Sequence, residues 1–273
     1  MFAGDCMTSH RRLGVNIDHI ATIRQSRGVV YPDPVEALSI LKSSGVDQVT
    51  IHLREDRRHI QDHDLDRILA LGTLPVNLEM AVTDEMVAIA CQKKPSHATL
   101  VPERREEVTT EGGLDCEGNL SKVQRAVSAL QRAGIHTSLF IDPDLEQVTA
   151  AKDVGANAIE IHTGTYCNVI EEFYGHWGHY HWQEDPVYSQ KVSAQLAKIR
   201  GAAQSAHDGG LKVYAGHGLH TQNLAPITAI ELIEEYNIGH AIIARAVFVG
   251  LKQAIEEIQE LLKIESWRLC EEL

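Results

Sequence analysis

The chain has 273 residues, 44% of them hydrophobic and 23% charged, which suits a soluble globular protein with a substantial core. A net charge of −13 argues against nucleic acid or an anionic membrane as partner, so any anionic ligand must be held by a local cluster of cations. No apolar run reaches the length of a membrane span and the N-terminus lacks a signal segment. Cys6, Cys91, Cys116, Cys167 and Cys270 form no Cys-x-x-Cys pair, so a cytoplasmic protein with reduced thiols is expected.

Strand-like runs alternate with helical stretches along the chain. The first is LGVNID from Leu13, followed by the amphipathic DPVEALSILKSSG and then QVTIHL from Gln48. PVNLEMA from Pro75 and HATLVP from His97 come next, and NLSKVQRAVSALQRAG reads as a helix stopped by its glycine. HTSLFID from His136, AIEIHT from Ala158, KVYAGHG from Lys212 and IELIEEYNI from Ile230 complete eight strands, and AVFVGLKQAIEEIQELLK closes the chain as one long helix. No linker divides the sequence, so a single domain over residues 1–273 is expected, with 1–12 as an N-terminal extension. Eight strands alternating with helices point to an α/β fold, the closed (β/α)8 TIM barrel with extra helices. The runner-up, an open dinucleotide-binding sheet, lacks its Gly-x-Gly-x-x-Gly turn after strand one.

Active sites of such barrels lie at the C-terminal ends of the strands. Five strands place polar groups there. Strand one gives Asn16 and Asp18 with His19 following, strand two His52 and Arg54, strand three Asn77 and Glu79, strand six Glu160 and His162, strand seven His217. Side chains alternate between the faces of a strand, so each of these pairs shares one face. Buried carboxylates and histidines are costly, and their recurrence marks a polar barrel mouth. After strand eight, NIGHAII opens a helix on Gly239 and His240, and Gly218 follows strand seven, a frequent phosphate cradle in barrels. Arg54, Arg57, Arg58 and His59 form a second basic group that reads equally as a solvated charge run.

Taken together, GVNIDHIATIRQSRG, VTIHLREDRRHI, NLEMA, LVPERREEVTTEGGLD, SLFIDPD, IEIHTG, AGHGL and NIGHAII resemble the pyridoxine 5'-phosphate synthase family of the deoxyxylulose-dependent vitamin B6 pathway, from about Leu13 to the C-terminal helix. The resemblance implies a homo-octameric barrel that condenses 3-amino-2-oxopropyl phosphate with 1-deoxy-D-xylulose 5-phosphate, with no cofactor and no resident metal. It implies His52 and Glu79 as proton acceptors, His217 as proton donor and Glu160 as a stabiliser of charge in the transition state. Asp18, His19, Arg54, His59 and Thr109 would bind the sugar phosphate. Asn16, Arg27, Gly218, Gly239 and His240 would bind the amino ketone phosphate. EVTTEGGLD, with Gly112 and Gly113, would be a lid over the reacting imines.

Two other readings compete. His19, His52, His162 and His217 prompt a metal-dependent barrel hydrolase, although strand one lacks a His-x-His pair; a barrel that only binds phosphorylated metabolites is the third. The chain also departs from the family pattern after strand six, where about residues 168–187 read as an inserted loop. It carries His176, His179 and His181 among Tyr174, Trp177, Tyr180 and Trp182. Histidines at this spacing suit zinc, but aromatic packing against the rim or a neighbouring subunit is the expected role.

Overall fold

The structure, a computed structural model, describes residues 11–104, 107, 109 and 112–263. Eight parallel strands close a barrel in chain order: β1 (Arg12–Asn16), β2 (Gln48–His52), β3 (Val76–Met80), β4 (His97–Leu100), β5 (His136–Ile141), β6 (Ala158–His162), β7 (Lys212–Gly216) and β8 (Glu235–Ile238), which pairs back with β1. Helices α1 (Asp18–Arg27), α2 (Ala37–Ser43), α3 (Asp62–Leu71), α4 (Asp84–Lys93), α5 (Leu120–Arg132) and α6 (Leu145–Asp153) cover the first half. The second half carries α7 (Gly164–Trp177), α8 (Pro186–Asp208), α9 (Leu224–Thr228), α10 (His240–Val249) and α11 (Leu251–Lys263). This is the expected TIM barrel. Among the described residues no helix is long and apolar enough to cross a membrane.

Strict alternation along each strand divides the interior into two kinds of space. Val49 and Ile51, Leu78 and Met80, Leu139 and Ile141, Ile159 and Ile161 are buried in the apolar layer between strands and helices. The alternate residues enter the barrel lumen, and apart from Phe140 and the small Ala158 they are polar. Gln48 Nε2 of β2 donates across the lumen to Glu235 Oε1 of β8 at 2.6 Å, Asn237 Nδ2 to Glu160 Oε2 at 2.9 Å, and Thr99 Oγ1 to Asn77 Oδ1 at 3.0 Å. The oily core therefore lies outside the strands, and the lumen is a hydrogen-bonded polar column leading to the C-terminal mouth.

Three elements differ from expectation. The eighth strand begins at Glu235, not Ile230; Ile230 and Ile233 are buried, which mimics a strand, but Ile233 N bonds Ile230 O in a turn after α9. The closing helix is two helices, α10 and α11, broken at Gly250 with φ 85. The inserted segment after β6 is largely helical. Tyr166, Ile170 and Phe173 recur at helical spacing and are buried on one face of α7. Gly178 stops that helix at φ 71, and Asp185 caps α8, accepting from Val187 N and Tyr188 N just before Pro186. Its aromatic content hid this periodicity.

Strand β1 takes up Arg12, so of the expected extension only Arg11 and Arg12 are described, and positions 1–10 lie outside the described residues. So do Val108, Thr110 and Glu111 of the expected lid, and positions 105 and 106 just before it. Among the described cysteines, Cys91, Cys116 and Cys167 are free.

Candidate active site

A cavity of about 870 Å³ opens at the C-terminal mouth of the barrel. Of the residues singled out above, Asn16, His19, His52, Arg54, Glu79, Glu160, His217, Gly218, Gly239 and His240 line it. They come from six different strand ends, which is why no single motif contains the site.

Register brings the first group together. His52 of β2 lies opposite Glu79 of β3, and His52 Nδ1 is 3.8 Å from Glu79 Oε2. Asn16 Nδ2 donates to Glu79 Oε2 at 3.3 Å and to Asp18 Oδ2 at 2.9 Å, and Asp18 Oδ1 accepts the His52 backbone N–H at 2.9 Å. Burial, then the like charges of Glu160 and Asp18, hold the Glu79 carboxyl well above the usual carboxylate range. Burial also lifts Asp18 to about 6, against the pull of His52. Asp18 itself sits beneath the cavity and locks the β1 and β2 ends together.

Glu103, which follows β4, was not singled out from sequence. Its Oε1 bonds His52 Nε2 at 2.8 Å and its Oε2 accepts from Glu55 N at 3.0 Å. Burial opposes its ionisation, but the bonds from His52 and Glu55 outweigh it and hold the carboxyl below its usual range. Glu103 fixes the imidazole ring so that Nδ1 faces Glu79 and the cavity. Replacing Glu103 by Gln should lower kcat about tenfold to a hundredfold with little change in either KM, as expected for loss of ring orientation around a general base. Steady-state kinetics check this, and an unchanged kcat would relieve Glu103 of the role.

The opposite wall is built on β6 and β7. Asn237 Nδ2 donates to Glu160, whose carboxyl burial and the neighbouring Glu235 push up to about 8. Gly216 leaves room for the Glu160 carboxyl, since a Cβ there would collide with Oε1. His217 follows with φ 76, a left-handed conformation unusual for a non-glycine residue. Thr163 Oγ1 lies 2.8 Å from Gly216 O and 2.7 Å from His217 O and holds this turn. Burial, then His162, lowers the His217 pKa, so its ring rests neutral. His162 stacks edge-on against His217 with centroids 4.9 Å apart, and its Nδ1 bonds Asp142 Oδ1 at 2.9 Å. Asp142, a second group not singled out, also bonds Thr109 Oγ1 and Gly113 N. Thr109 thus contacts the support of the His162–His217 pair.

Among the described residues, two nitrogens at the mouth have no hydrogen-bond partner. His19 Nδ1 and Arg54 Nε are buried without a hydrogen bond, although Arg54 Nε is 3.8 Å from Glu103 Oε2. Burial, then His240 at 4.9 Å between ring centroids, lowers the His19 pKa; a bound anion would reverse both penalties. Gly218 has φ 82, and a Cβ there would strike Cys167 Cβ at 2.9 Å. With Gly239 and His240 at the start of α10 it leaves backbone close to the cavity, the geometry of an anion cradle.

Other residues stay apart. Arg27 is exposed at the end of α1 and does not line the cavity. The basic group after β2 divides: Arg57 pairs with Asp62 and Glu85, Arg58 with Asp56 at 2.6 Å, and only Arg54 lines the cavity. His59 sits behind His52, its Nδ1 accepting from Ile60 N; burial and then His52 drive its pKa down to about 4. Arg24, unremarked in the sequence, makes a buried two-pronged pair with Asp64 at 2.7 Å that ties α1 to α3.

Metal donors are arranged as follows. Among the described residues, Asp18, His52 and Glu79 form the one triple whose ligand atoms lie within 4.8 Å of one another. Both Asp18 oxygens already accept hydrogen bonds, and Glu79 Oε2 accepts from Asn16 Nδ2, so the carboxylates of the triple are held by hydrogen bonds within the protein. The set suits proton transfer. Of the histidines that prompted a hydrolase reading, His162 is paired to Asp142 and His52 to Glu103, and among the described residues His19, His162 and His217 belong to no triple of metal-ligating atoms. In the inserted segment His176 Nδ1 bonds Glu172 O, and His179 packs edge-on against Phe173. Asn168, Glu171 and Tyr180 from this segment line the active cavity.

Comparison with known proteins gives a consistent result. The family model of the pyridoxal phosphate biosynthesis protein PdxJ matches residues 13–264. A relative from Trichlorobacter lovleyi, named pyridoxine 5'-phosphate synthase, is 50% identical over 252 residues, covering 92% of this chain and 98% of its own. One of the same name from Sulfurihydrogenibium sp. is 49% identical over 254 residues, covering 92% and 97%. Among solved structures the tryptophan synthase A-subunit of Pyrococcus furiosus superposes with a TM-score of 0.57 at 10% identity, covering 94% of this chain and 99% of that one; it shares the fold alone.

Proposed function

The chain belongs to the family of the pyridoxal phosphate biosynthesis protein PdxJ, and from this we propose that it condenses 3-amino-2-oxopropyl phosphate with 1-deoxy-D-xylulose 5-phosphate to pyridoxine 5'-phosphate, phosphate and water. The observation that carries this reading is one cavity in which two carboxyls of raised pKa, Glu79 and Glu160, and the histidines His52 and His217 share the space with Arg54 Nε and His19 Nδ1, which have no hydrogen-bond partner among the described residues. Imine formation, enolisation, elimination and ring closure are successive proton transfers around two phosphorylated reactants. The amine comes with the substrate, so no lysine is needed at the strand ends.

The roles follow position. Burial, then the like charges of Glu160 and Asp18, hold the Glu79 carboxyl above the usual carboxylate range; positive charge developing on the substrate nitrogen offsets these penalties and turns the group into a base beside His52. Glu160, held by Asn237, meets positive charge deeper in the pocket. His217, neutral at rest, still offers one N–H to a departing oxygen. Arg54 and His19 take the sugar phosphate, and the Gly218, Gly239 and His240 backbone takes the phosphate that the product retains. Arg54→Ala should raise the KM for the sugar phosphate about tenfold or more and that for the amino ketone phosphate less than twofold, since charge-assisted contacts act locally. Equal losses in kinetic titrations would reassign the pockets.

The reading extends to assembly and location. Val247 and Phe248 on α10 and Val30 and Tyr31 beyond α1 are strongly exposed apolar side chains on neighbouring elements, a surface suited to a second copy in a cytoplasmic homo-octamer. Light scattering of purified protein tests the oligomer. The decisive test of activity is incubation of the protein with both substrates and detection of pyridoxine 5'-phosphate by mass spectrometry. Failure of the product to appear with intact substrates would overturn the assignment.

A further inference from the structure

The segment inserted after β6 reaches the active cavity through Glu171 and Tyr180, whose contacts with His220 form a closed set. Glu171 of α7 bonds His220 Nε2 through Oε1 at 2.7 Å. Tyr180, beyond the helix, places its hydroxyl 3.4 Å from both Glu171 oxygens. Its ring stacks on Tyr174 with centroids 4.5 Å apart and an interplanar angle of 16°, and its other neighbour is the His220 ring at 5.6 Å. Glu171, Tyr180 and His220 all line the cavity.

What they hold is the turn after β7. His220 lies three residues beyond His217 and two beyond Gly218. The same turn is gripped from α7 at two further points: Tyr166 donates its hydroxyl to Asn223 O at 2.6 Å, and Cys167 packs beneath Gly218. Asn223 closes the turn internally, its Nδ2 donating to Gly218 O at 3.0 Å while its Oδ1 accepts from His220 N at 2.8 Å. Tyr166 and Asn223 are buried and brace the base of the turn, whereas the Glu171–His220 contact lies at its cavity edge. His217, a non-glycine residue at φ 76, holds a strained backbone conformation that needs outside support.

We propose that Glu171, His220 and Tyr180 are a positioning clasp, built by the inserted segment, that fixes the Gly218 edge of the phosphate cradle and thereby sets affinity for the amino ketone phosphate. This rests on the assignment of that pocket above. The clasp touches no reacting atom, so its loss shows in binding of one substrate and not in the chemical step.

The test is kinetics and binding on Glu171→Ala, His220→Ala and the double variant. The KM for 3-amino-2-oxopropyl phosphate should rise about tenfold in each single variant, with the sugar phosphate KM and kcat within twofold of wild type. The double variant should be no worse than either single one, because both remove one shared contact. Tyr180→Phe, which keeps the ring stack, should fall between. Titration of each protein with dihydroxyacetone phosphate, the oxygen analogue of the amino ketone, should show the same loss without turnover. Unchanged KM in both single variants, additive losses in the double variant, or equal losses for both substrates with a lowered Tm would overturn the clasp. Wild-type protein that binds the analogue yet forms no pyridoxine 5'-phosphate would instead refute the assigned reaction and leave the binding comparison to judge the clasp.

Discussion

Glu79→Gln is expected to lower kcat by about 10² to 10⁴-fold, the usual reach of a positioned acid or base, while the barrel stays folded. Gln keeps the shape and can still accept from Asn16, so the Asn16–Asp18 junction survives. What disappears is a carboxyl raised by burial and by two carboxyl neighbours. The variant should also reveal itself in stability. A carboxyl whose folded pKa lies above its ordinary 4.5 binds its proton more tightly folded than unfolded, so its contribution is fully present below that value and is lost as pH rises toward the folded pKa. Glu79→Gln removes this loss and should therefore gain Tm relative to wild type between acid and mildly alkaline pH. Near-normal turnover would take Glu79 out of the mechanism, and a Tm difference flat across that range would contradict the raised pKa.

His217→Asn should cost a similar factor of about 10² to 10⁴ in kcat, through loss of the proton donor. Asparagine is the right probe because it tolerates the left-handed backbone that His217 adopts at φ 76. Thr163, which holds the His217 carbonyl, and the Cys167 contact under Gly218 stay in place. Substrate affinities should change little, since the cradle is backbone. If single-turnover measurements find more than a tenth of wild-type activity, the donor is another group, and His162, edge-on to His217 and anchored by Asp142, is the first to examine.

The parts of this site readable in sequence are those placed by strand periodicity. Asn16, His52, Glu79 and Glu160 each occupy a lumen-facing position in a run whose alternate residues are apolar, and that pattern survives in one dimension. Glu103 and Asp142 were hidden because they follow strands β4 and β5 in loops, where no period says which way a side chain turns. Their roles come from a partner at distance: 51 residues away for Glu103 and His52, 20 for Asp142 and His162. Arg24 and Arg57 show the converse. Both are cations near the mouth, and only the fold shows that carboxylates already claim them. The inserted segment was misread as loop for a third reason, that histidines and aromatics obscured a buried face at 166, 170 and 173.

The division between an apolar outer layer and a polar lumen has a consequence for how reliably this chain finds its fold. In a barrel with oil on both sides of each strand, a strand displaced by one residue still buries hydrocarbon, and the error is mild. Here the same slip would turn Glu79, Glu160 and Glu235 into the oily layer and present Leu78, Ile159 and Tyr236 to the hydrogen-bonded column. Each misplaced carboxyl would lose its partners at the moment its hydrocarbon neighbours lost their shelter, so mispaired intermediates are penalised from both faces at once. The carboxyls of the lumen thus also favour the correct strand register. Neutralising several of them together should slow or scramble refolding even where the finished barrel is no less stable.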